Sequence, residues 1–211
     1  PAVMKKYQPD YVTAQEYQRR LNDNRSRLAL VQAAEIPMTR QLEPPRFRFP
    51  KLDEASFVRL VNEAQRAAAV LQPRLDRLYG ILQEGELARE KEASPRWQAG
   101  FDLAIGRVIA ARLRSKSYNE MLALAKTKLQ FDDPDNKTWV LRSAEELDAT
   151  GSQNEKLANK ARNYLERVVE QHPDTPWAML ARRELATPFG WQWRETYTPP
   201  PPPPEERRVN N

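Results

Sequence analysis

The stretch that decides the fold is PRWQAGFDLAIGRVIAARLRSKSYNEMLALAK, residues 95–126. Ser94-Pro95, where the stretch begins, is a strong helix start, because Pro favours the first helical position. Apolar residues then recur three and four positions apart, which is typical of an amphipathic helix. They are Trp97, Phe101, Ala104, Ile105, Val108 and Ile109, and later Tyr118, Met121, Leu122 and Ala125. The polar Ser115-Lys116-Ser117 predicts a break, so we expect two helices here.

Similar patterns predict helices on both sides of this stretch. Residues suited to cap a helix N-terminus precede helical spacing at Thr13, at Asp53 and at Thr175. The first of these helices is interrupted by the polar residues 22–26 and should stop before Pro37. Pro73 predicts a kink or a break between two helices. Another helix is expected from about Asn154 to His172.

Residues 37–50, PMTRQLEPPRFRFP, contain four prolines and cannot be helical throughout. We expect an extended strap in which Phe47 and Phe49 lie on a hydrophobic surface, while Arg46 and Arg48 face water. A basic and aromatic strip that stacks on nucleic-acid bases is the alternative, although two aromatic residues are few for that role.

Residues 131–152 also depart from the helical pattern. The DDPDN cluster at 132–136 indicates a turn, and 138–141 could form a short extended piece. The cluster invites a calcium hypothesis, but it lacks the glycine that an EF-hand loop needs at its sixth position. Ser143 and Glu146 form a capping box that would open at most a short helix.

The sequence ends in six consecutive prolines, 199–204, and EERRVNN. The proline run predicts polyproline II, either as a stiff spacer or as a ligand for an aromatic-lined groove. We therefore divide the chain into an N-terminal basic helix with a Pro-rich strap (1–52), a helical domain (53–195) and a disordered polyproline tail (196–211). Because the chain opens on Pro1, we expect it to be a piece of a longer protein.

Composition removes most catalytic options. The chain has no cysteine and one histidine, His172, which excludes Cys nucleophiles, disulfides and the usual zinc sites. A Ser-His-Asp triad would have to use His172, which lies at a predicted helix end. The longest apolar run, 103–111, is interrupted by Arg107 and is too short to span a bilayer. We expect no enzyme activity, no cofactor and no transmembrane segment.

The positive charge is concentrated near the N-terminus. Residues 1–52 hold ten Lys and Arg against five Asp and Glu, and the rest of the chain is balanced. One interpretation is an anion- or nucleic-acid-binding module, with Arg19, Arg20, Arg46 and Arg48 as candidate contacts. The other is a solvated helix face followed by a linker, which we favour.

The five tryptophans all lie at element starts or connections; they are Trp97, Trp139, Trp177, Trp191 and Trp193. We expect them to hold adjacent helices together in the core. The alternative is an aromatic binding groove, for which Trp191 and Trp193 are the best candidates.

Two resemblances suggest what such a chain does. The segment KARNYLERVVEQHPDTPWAMLARREL, residues 160–185, resembles the junction between two tetratricopeptide-type repeats, whose helix pairs bind peptides or proteins. No regular 34-residue period runs along the chain, so a full solenoid is not predicted.

More broadly, residues 5–195 resemble the C-terminal helical region of bacterial von Willebrand factor A domain proteins of the kind found in planctomycetes. The resemblance lies in KKYQPDYVTAQEYQRRLNDNRSRLALVQAA, PRWQAGFDLAIGRVIAARLRSKSYNEMLALAK, DNKTWVLR and YLERVVEQHPDTPWAMLARREL. In that family the adhesion-type metal site lies in a preceding domain, and no D-x-S-x-S motif occurs here. The resemblance implies a helical companion to an adhesion or scaffolding domain.

The expected fold is therefore all-α, an irregular bundle with tetratricopeptide-like hairpins. The expected function is non-catalytic protein–protein interaction or scaffolding, with a protein partner rather than nucleic acid. Candidate contact residues are Tyr164, Trp177, Arg182, Trp191 and Trp193.

Overall fold

The computed structural model describes residues 2–36, 44–146 and 151–197. The chain is mostly helical, with a 3-10 helix at Ala2–Tyr7 and a small antiparallel sheet. The α-helices are α1 (Ala14–Asn22), α2 (Arg25–Ala34), α3 (Glu54–Ala69), α4 (Gln72–Glu84), α5 (Glu86–Arg89), α6 (Pro95–Lys128), α7 (Gly151–Gln171) and α8 (Pro176–Leu185). The strands are β1 (Arg48–Pro50), β2 (Asn136–Ala144) and β3 (Gly190–Tyr197).

Helix α6 is the central element, and α2, α3, α4, α7 and α8 all pack against it. Its 34 residues give it a length of about 50 Å. The core along its first half contains Phe101, Ile105, Ile109 and Leu113 of α6 together with Ala29, Leu82, Ala158 and Ala161. The core along its second half contains Tyr118, Leu122 and Ala125 together with Phe49, Phe57, Val61, Trp139 and Leu141.

The break expected at Ser115-Lys116-Ser117 is wrong, because α6 continues through it. Ser115 and Ser117 are both buried within the helix. No Gly or Pro occurs between Arg107 and Lys128, and apolar packing on both sides of the serines outweighs their weak helix propensity.

The predicted helix starts are confirmed by side-chain caps. Thr13 accepts a hydrogen bond from the Glu16 backbone N–H, Asp53 from that of Ser56, and Thr175 from that of Ala178. The polar residues 22–26 separate α1 from α2, and Pro73 lies in the first turn of α4 after a break at Val70. Helix α7 begins at Gly151, three residues before the predicted start.

Glycines allow helices to approach α6 closely, as their place inside an apolar pattern predicts. A Cβ atom at Gly106 would lie 2.8 Å from Cγ of Leu165 on α7, too close for a side chain. At Gly100 the nearest atom would be Cδ2 of Leu30 on α2, at 3.2 Å.

The sheet has the order β1-β2-β3, with both pairs antiparallel. The extended piece predicted at 138–141 is the buried part of β2. The helix start predicted at Ser143 is wrong, since Ser143 lies in β2 opposite Trp191 of β3. Cross-strand pairing satisfies the backbone there and prevents a helical turn.

Strand β3 was not expected, so the all-α prediction holds only in its coarser form, a mostly helical chain. The sheet forms because its aromatic residues need an apolar cover, and α3 and α6 supply it. The divisions at residues 52 and 195 remain predictions, although β1 and β2 pair across the first of them. Thr196 and Tyr197 belong to β3, whereas the proline run and residues 37–43 of the strap lie outside the described residues.

Candidate functional site

An open groove with a volume of about 1140 Å³ runs between α3 and α6. The C-terminal half of α3 is rich in alanine, so its short side chains do not fill the space toward α6. The groove is lined by Pro44, Pro45 and Arg46, by Glu63, Ala64, Arg66, Ala67, Ala68, Val70 and Leu71, by Ala111, Arg114, Ser115 and Tyr118, and by Trp191. Most of this lining is apolar, as is typical of binding sites.

Aromatic side chains form one end of the groove. The Trp191 ring stacks on Phe47, with centroids 5.0 Å apart, and lies edge-on to Tyr118 at 6.2 Å. The Trp191 Nε1–H donates to the Arg114 carbonyl at 3.1 Å, and the Tyr118 hydroxyl donates to the Arg46 carbonyl at 2.8 Å. These bonds fix both rings, so this end of the groove is preformed.

The charged side chains in the groove lining are those of Arg46, Glu63, Arg66 and Arg114, and the first three are exposed. The Ser115 hydroxyl is buried and has no hydrogen-bond partner among the described residues. Arg114 is occupied, because it pairs with Glu184 and donates to the carbonyls of Thr187 and Pro188, both at 2.9 Å. The exposed Arg66 donates only a weak bond, at 3.4 Å, to a carbonyl of its own helix.

These groups favour binding over covalent chemistry. Burial raises the pKa of Tyr118 to about 12, so its phenol stays protonated at neutral pH and cannot act as a base. Ser115 has no basic partner within hydrogen-bond distance in the described part of the chain, as an activated nucleophile would need. The groove offers apolar area, two fixed aromatic rings and the exposed charged side chains of Arg46, Glu63 and Arg66.

The contact residues predicted on α7 and α8 do not line this groove. The Tyr164 hydroxyl donates to Glu86 at 2.8 Å, which ties α7 to α5. Trp177 stacks on Tyr7 of the 3-10 helix, with centroids 5.4 Å apart. Arg182 is exposed on α8.

The tryptophans of β3 have different surroundings. Trp193 lies edge-on to Phe49 at 5.3 Å, and its Nε1–H donates to the Met121 carbonyl at 2.9 Å. Trp193 therefore joins the sheet to α6. Trp191 does the same through Arg114 but also lines the groove, so it alone of the five predicted contact residues reaches this surface.

The four arginines proposed for anion binding form two pairs with different surroundings. Arg19 and Arg20 both pair with Glu16, at 2.8 and 2.7 Å, and Arg20 also pairs with Asp10 at 2.6 Å. Hydrogen bonds from the two guanidinium groups lower the pKa of Glu16 to about 2. Arg46 and Arg48 are exposed, and no described carboxylate pairs with them.

Sequence reasoning missed a buried ionic cluster at the centre of the fold. The Asp102 carboxylate is fully buried in α6 and accepts two hydrogen bonds from Arg89, at 2.9 and 2.6 Å. Arg167 of α7 adds a third, at 2.7 Å. Only the tertiary fold brings these three together, and its enclosed geometry indicates a structural role.

Within the described residues, no set of three or more His, Cys, Asp or Glu side chains is placed to share a metal ion. None of the helices in that part of the chain is both long and apolar enough to cross a membrane. Comparison with protein-family models, with curated proteins and with solved structures gives no match. The groove and the surface charges are therefore the features of this chain that point to a function.

Proposed function

We propose that this chain is a non-catalytic protein-interaction module and that the groove between α3 and α6 is its contact surface. The main support for this proposal is the preformed apolar lining of the groove, with the Trp191 and Tyr118 rings fixed at one end. A mostly apolar surface that also carries exposed charged side chains, here Arg46, Glu63 and Arg66, is what a protein partner covers.

The shape of the groove favours an amphipathic helix as the bound segment. Two helices form its long walls, and Ala64, Ala68 and Ala111 allow a third helix to come close. An apolar side chain of the partner would fill the space beside Trp191.

Selection from a displayed library of amphipathic helical peptides tests this proposal. Ala67 lines the groove and is exposed, so Ala67→Trp should fill the groove without disturbing the core. Ala69 is exposed on the same helix but does not line the groove, which makes Ala69→Trp the matched control. Peptides selected on the wild type should lose binding to Ala67→Trp only. Equal binding to both variants would place the peptide site elsewhere.

The family resemblance remains part of the proposal. Helices α7 and α8, joined by the turn at His172–Thr175, support a tetratricopeptide-like hairpin but not a repeat array. We propose that the module accompanies an N-terminal von Willebrand factor A domain in the full-length protein. If the coding sequence upstream of Pro1 contains no D-x-S-x-S motif, the proposal of an accompanying von Willebrand factor A domain is wrong.

The alternative function, binding of anions or nucleic acid by N-terminal arginines, has less support from Arg19 and Arg20, because both already pair with carboxylates. Arg46 and Arg48 remain available, and salt-dependent binding to a generic polyanion would favour this alternative.

A further inference from the structure

The two faces of the sheet differ sharply in composition. Phe49, Trp139 and Leu141 point to the inner face and belong to the core. Because side chains alternate along a strand, the residues between them point outward. Arg48, Val140 and Arg194 lie abreast on this outer face, one on each strand, and Arg142 follows two residues after Val140. We call Arg48, Arg142 and Arg194 the arginine face.

The arginine face lacks countercharges. All three guanidinium side chains are exposed, and none forms a hydrogen bond or ion pair with the described residues. Val140 between them is 6% exposed, and Thr138, two residues earlier on the same face, is 2% exposed. The centre of this face is therefore buried, while the three arginine side chains remain exposed.

Strand geometry sets the spacing of these charges. Adjacent strands lie about 4.8 Å apart, so the Cα atoms of Arg48 and Arg194 are roughly 10 Å apart with Val140 between them. Along β2, Arg142 is about 6.8 Å beyond Val140. Three like charges at these distances repel one another and attract an anionic ligand.

We propose that the arginine face binds an extended acidic segment of a partner protein, with carboxylates on alternate residues. The spacing of alternate residues in an extended chain is also about 6.8 Å. One carboxylate would therefore lie between Arg48 and Arg194 while the next meets Arg142. Arginine suits this role because its planar fork can bind a carboxylate through two hydrogen bonds.

The same surface is poorly built for single-stranded nucleic acid. Base recognition without sequence preference relies on aromatic side chains beside the positive charges. Here Trp139 and Trp193 lie on the inner face, and the Trp193 indole N–H is bonded to α6. The outer face offers charge without a stacking platform, which favours carboxylates over bases.

Fluorescence anisotropy with a rhodamine-labelled Glu-Ser repeat peptide tests the proposal, with the Gln-Ser repeat as the neutral probe. The wild type should bind only the acidic peptide, and more tightly at about 50 mM than at about 300 mM salt. The double variant Arg48→Gln/Arg194→Gln should weaken binding by on the order of tenfold or more, and Arg48→Lys/Arg194→Lys by less. The matched control is Arg182→Gln/Arg183→Gln, which removes two exposed α8 arginines whose side chains pair with none of the described residues.

Three outcomes would overturn the proposal. The first is that the acidic peptide fails to bind the wild type. The second is that the α8 control variant weakens binding as much as the sheet variant does. The third is that an oligothymidine binds more tightly than the acidic peptide, with the same dependence on Arg48 and Arg194. Circular dichroism melts of all variants verify that each is folded. Binding of the acidic peptide should not depend on the groove, so Ala67→Trp should leave that binding unchanged.

Discussion

At the scale of single residues, we expect stability to depend strongly on Asp102. Its carboxylate is fully buried and holds Arg89, whose side chain is 5% exposed. Replacement by alanine would leave that guanidinium buried without a countercharge. We expect Asp102→Ala to lower the free energy of unfolding by about 3–5 kcal/mol, measured by urea denaturation.

Asp76 provides the control for this prediction. Its ion pair with Arg112 is similarly short, at 2.7 Å, but the Asp76 side chain is 45% exposed. Asp76→Ala should therefore cost about 0–1 kcal/mol. Similar losses for the two variants would show that the buried cluster does not stabilise the fold beyond an ordinary surface pair.

His172 makes stability depend on pH. Its ring is buried, Nδ1 lies 3.0 Å from the Tyr7 hydroxyl, and Nε2 has no partner in the described residues. Burial lowers the pKa of His172 below its ordinary 6.5; the charge of Asp102 opposes this, and Arg89, Arg167 and Lys6 add to it. The folded state therefore favours the neutral ring.

The direction in which pH changes the stability follows from the order of proton uptake. When the pH falls below 6.5, the unfolded chain binds a proton at His172 before the folded chain does, so stability is lost between 6.5 and the lower folded pKa. We expect the free energy of unfolding to fall between about pH 8 and about pH 5, and to fall less in His172→Gln. An unchanged pH dependence in that variant would contradict the assignment.

At the scale of elements, local signals predicted most helix starts and ends, but not the continuity of α6 or the pairing of the strands. The caps at Thr13, Asp53 and Thr175 need only neighbouring backbone, so the sequence alone identifies them. The continuity of α6 through Ser115 depends instead on packing from α3 and α7, which no local pattern records. Strand β3 was missed for the same reason, since it forms by pairing with β2.

The crossing of α6 and α7 gives a paired prediction about glycine. At Gly106 a Cβ would meet Leu165 at 2.8 Å, so Gly106→Ala should destabilise the protein by about 1–3 kcal/mol. At Gly80 in α4 a Cβ would meet nothing within 4 Å. Gly80→Ala should therefore stabilise by about 0.5–1 kcal/mol through helix propensity. Thermal and urea unfolding of both variants would distinguish a close helix contact from a general effect of glycine.

At the scale of the whole molecule, both proposed surfaces are products of tertiary structure. The groove combines α3, α6 and the start of β3, and the arginine face combines one arginine from each of three strands. Arg48 could be singled out from the sequence because Arg46 and Arg48 alternate with Phe47 and Phe49. Arg142 and Arg194 could not, because only the register of the sheet places them beside it.

Because the two surfaces use different residues, they should bind independently. The groove variant Ala67→Trp should abolish binding of the selected helical peptide and leave the Glu-Ser peptide unaffected. The sheet variant Arg48→Gln/Arg194→Gln should do the reverse, since neither arginine lines the groove. Anisotropy titration of each peptide against both variants measures this. If either variant weakens both peptides in a protein that melts like the wild type, the groove and the arginine face form one continuous site, and a single partner segment must cross from α3 to the outer face of the sheet.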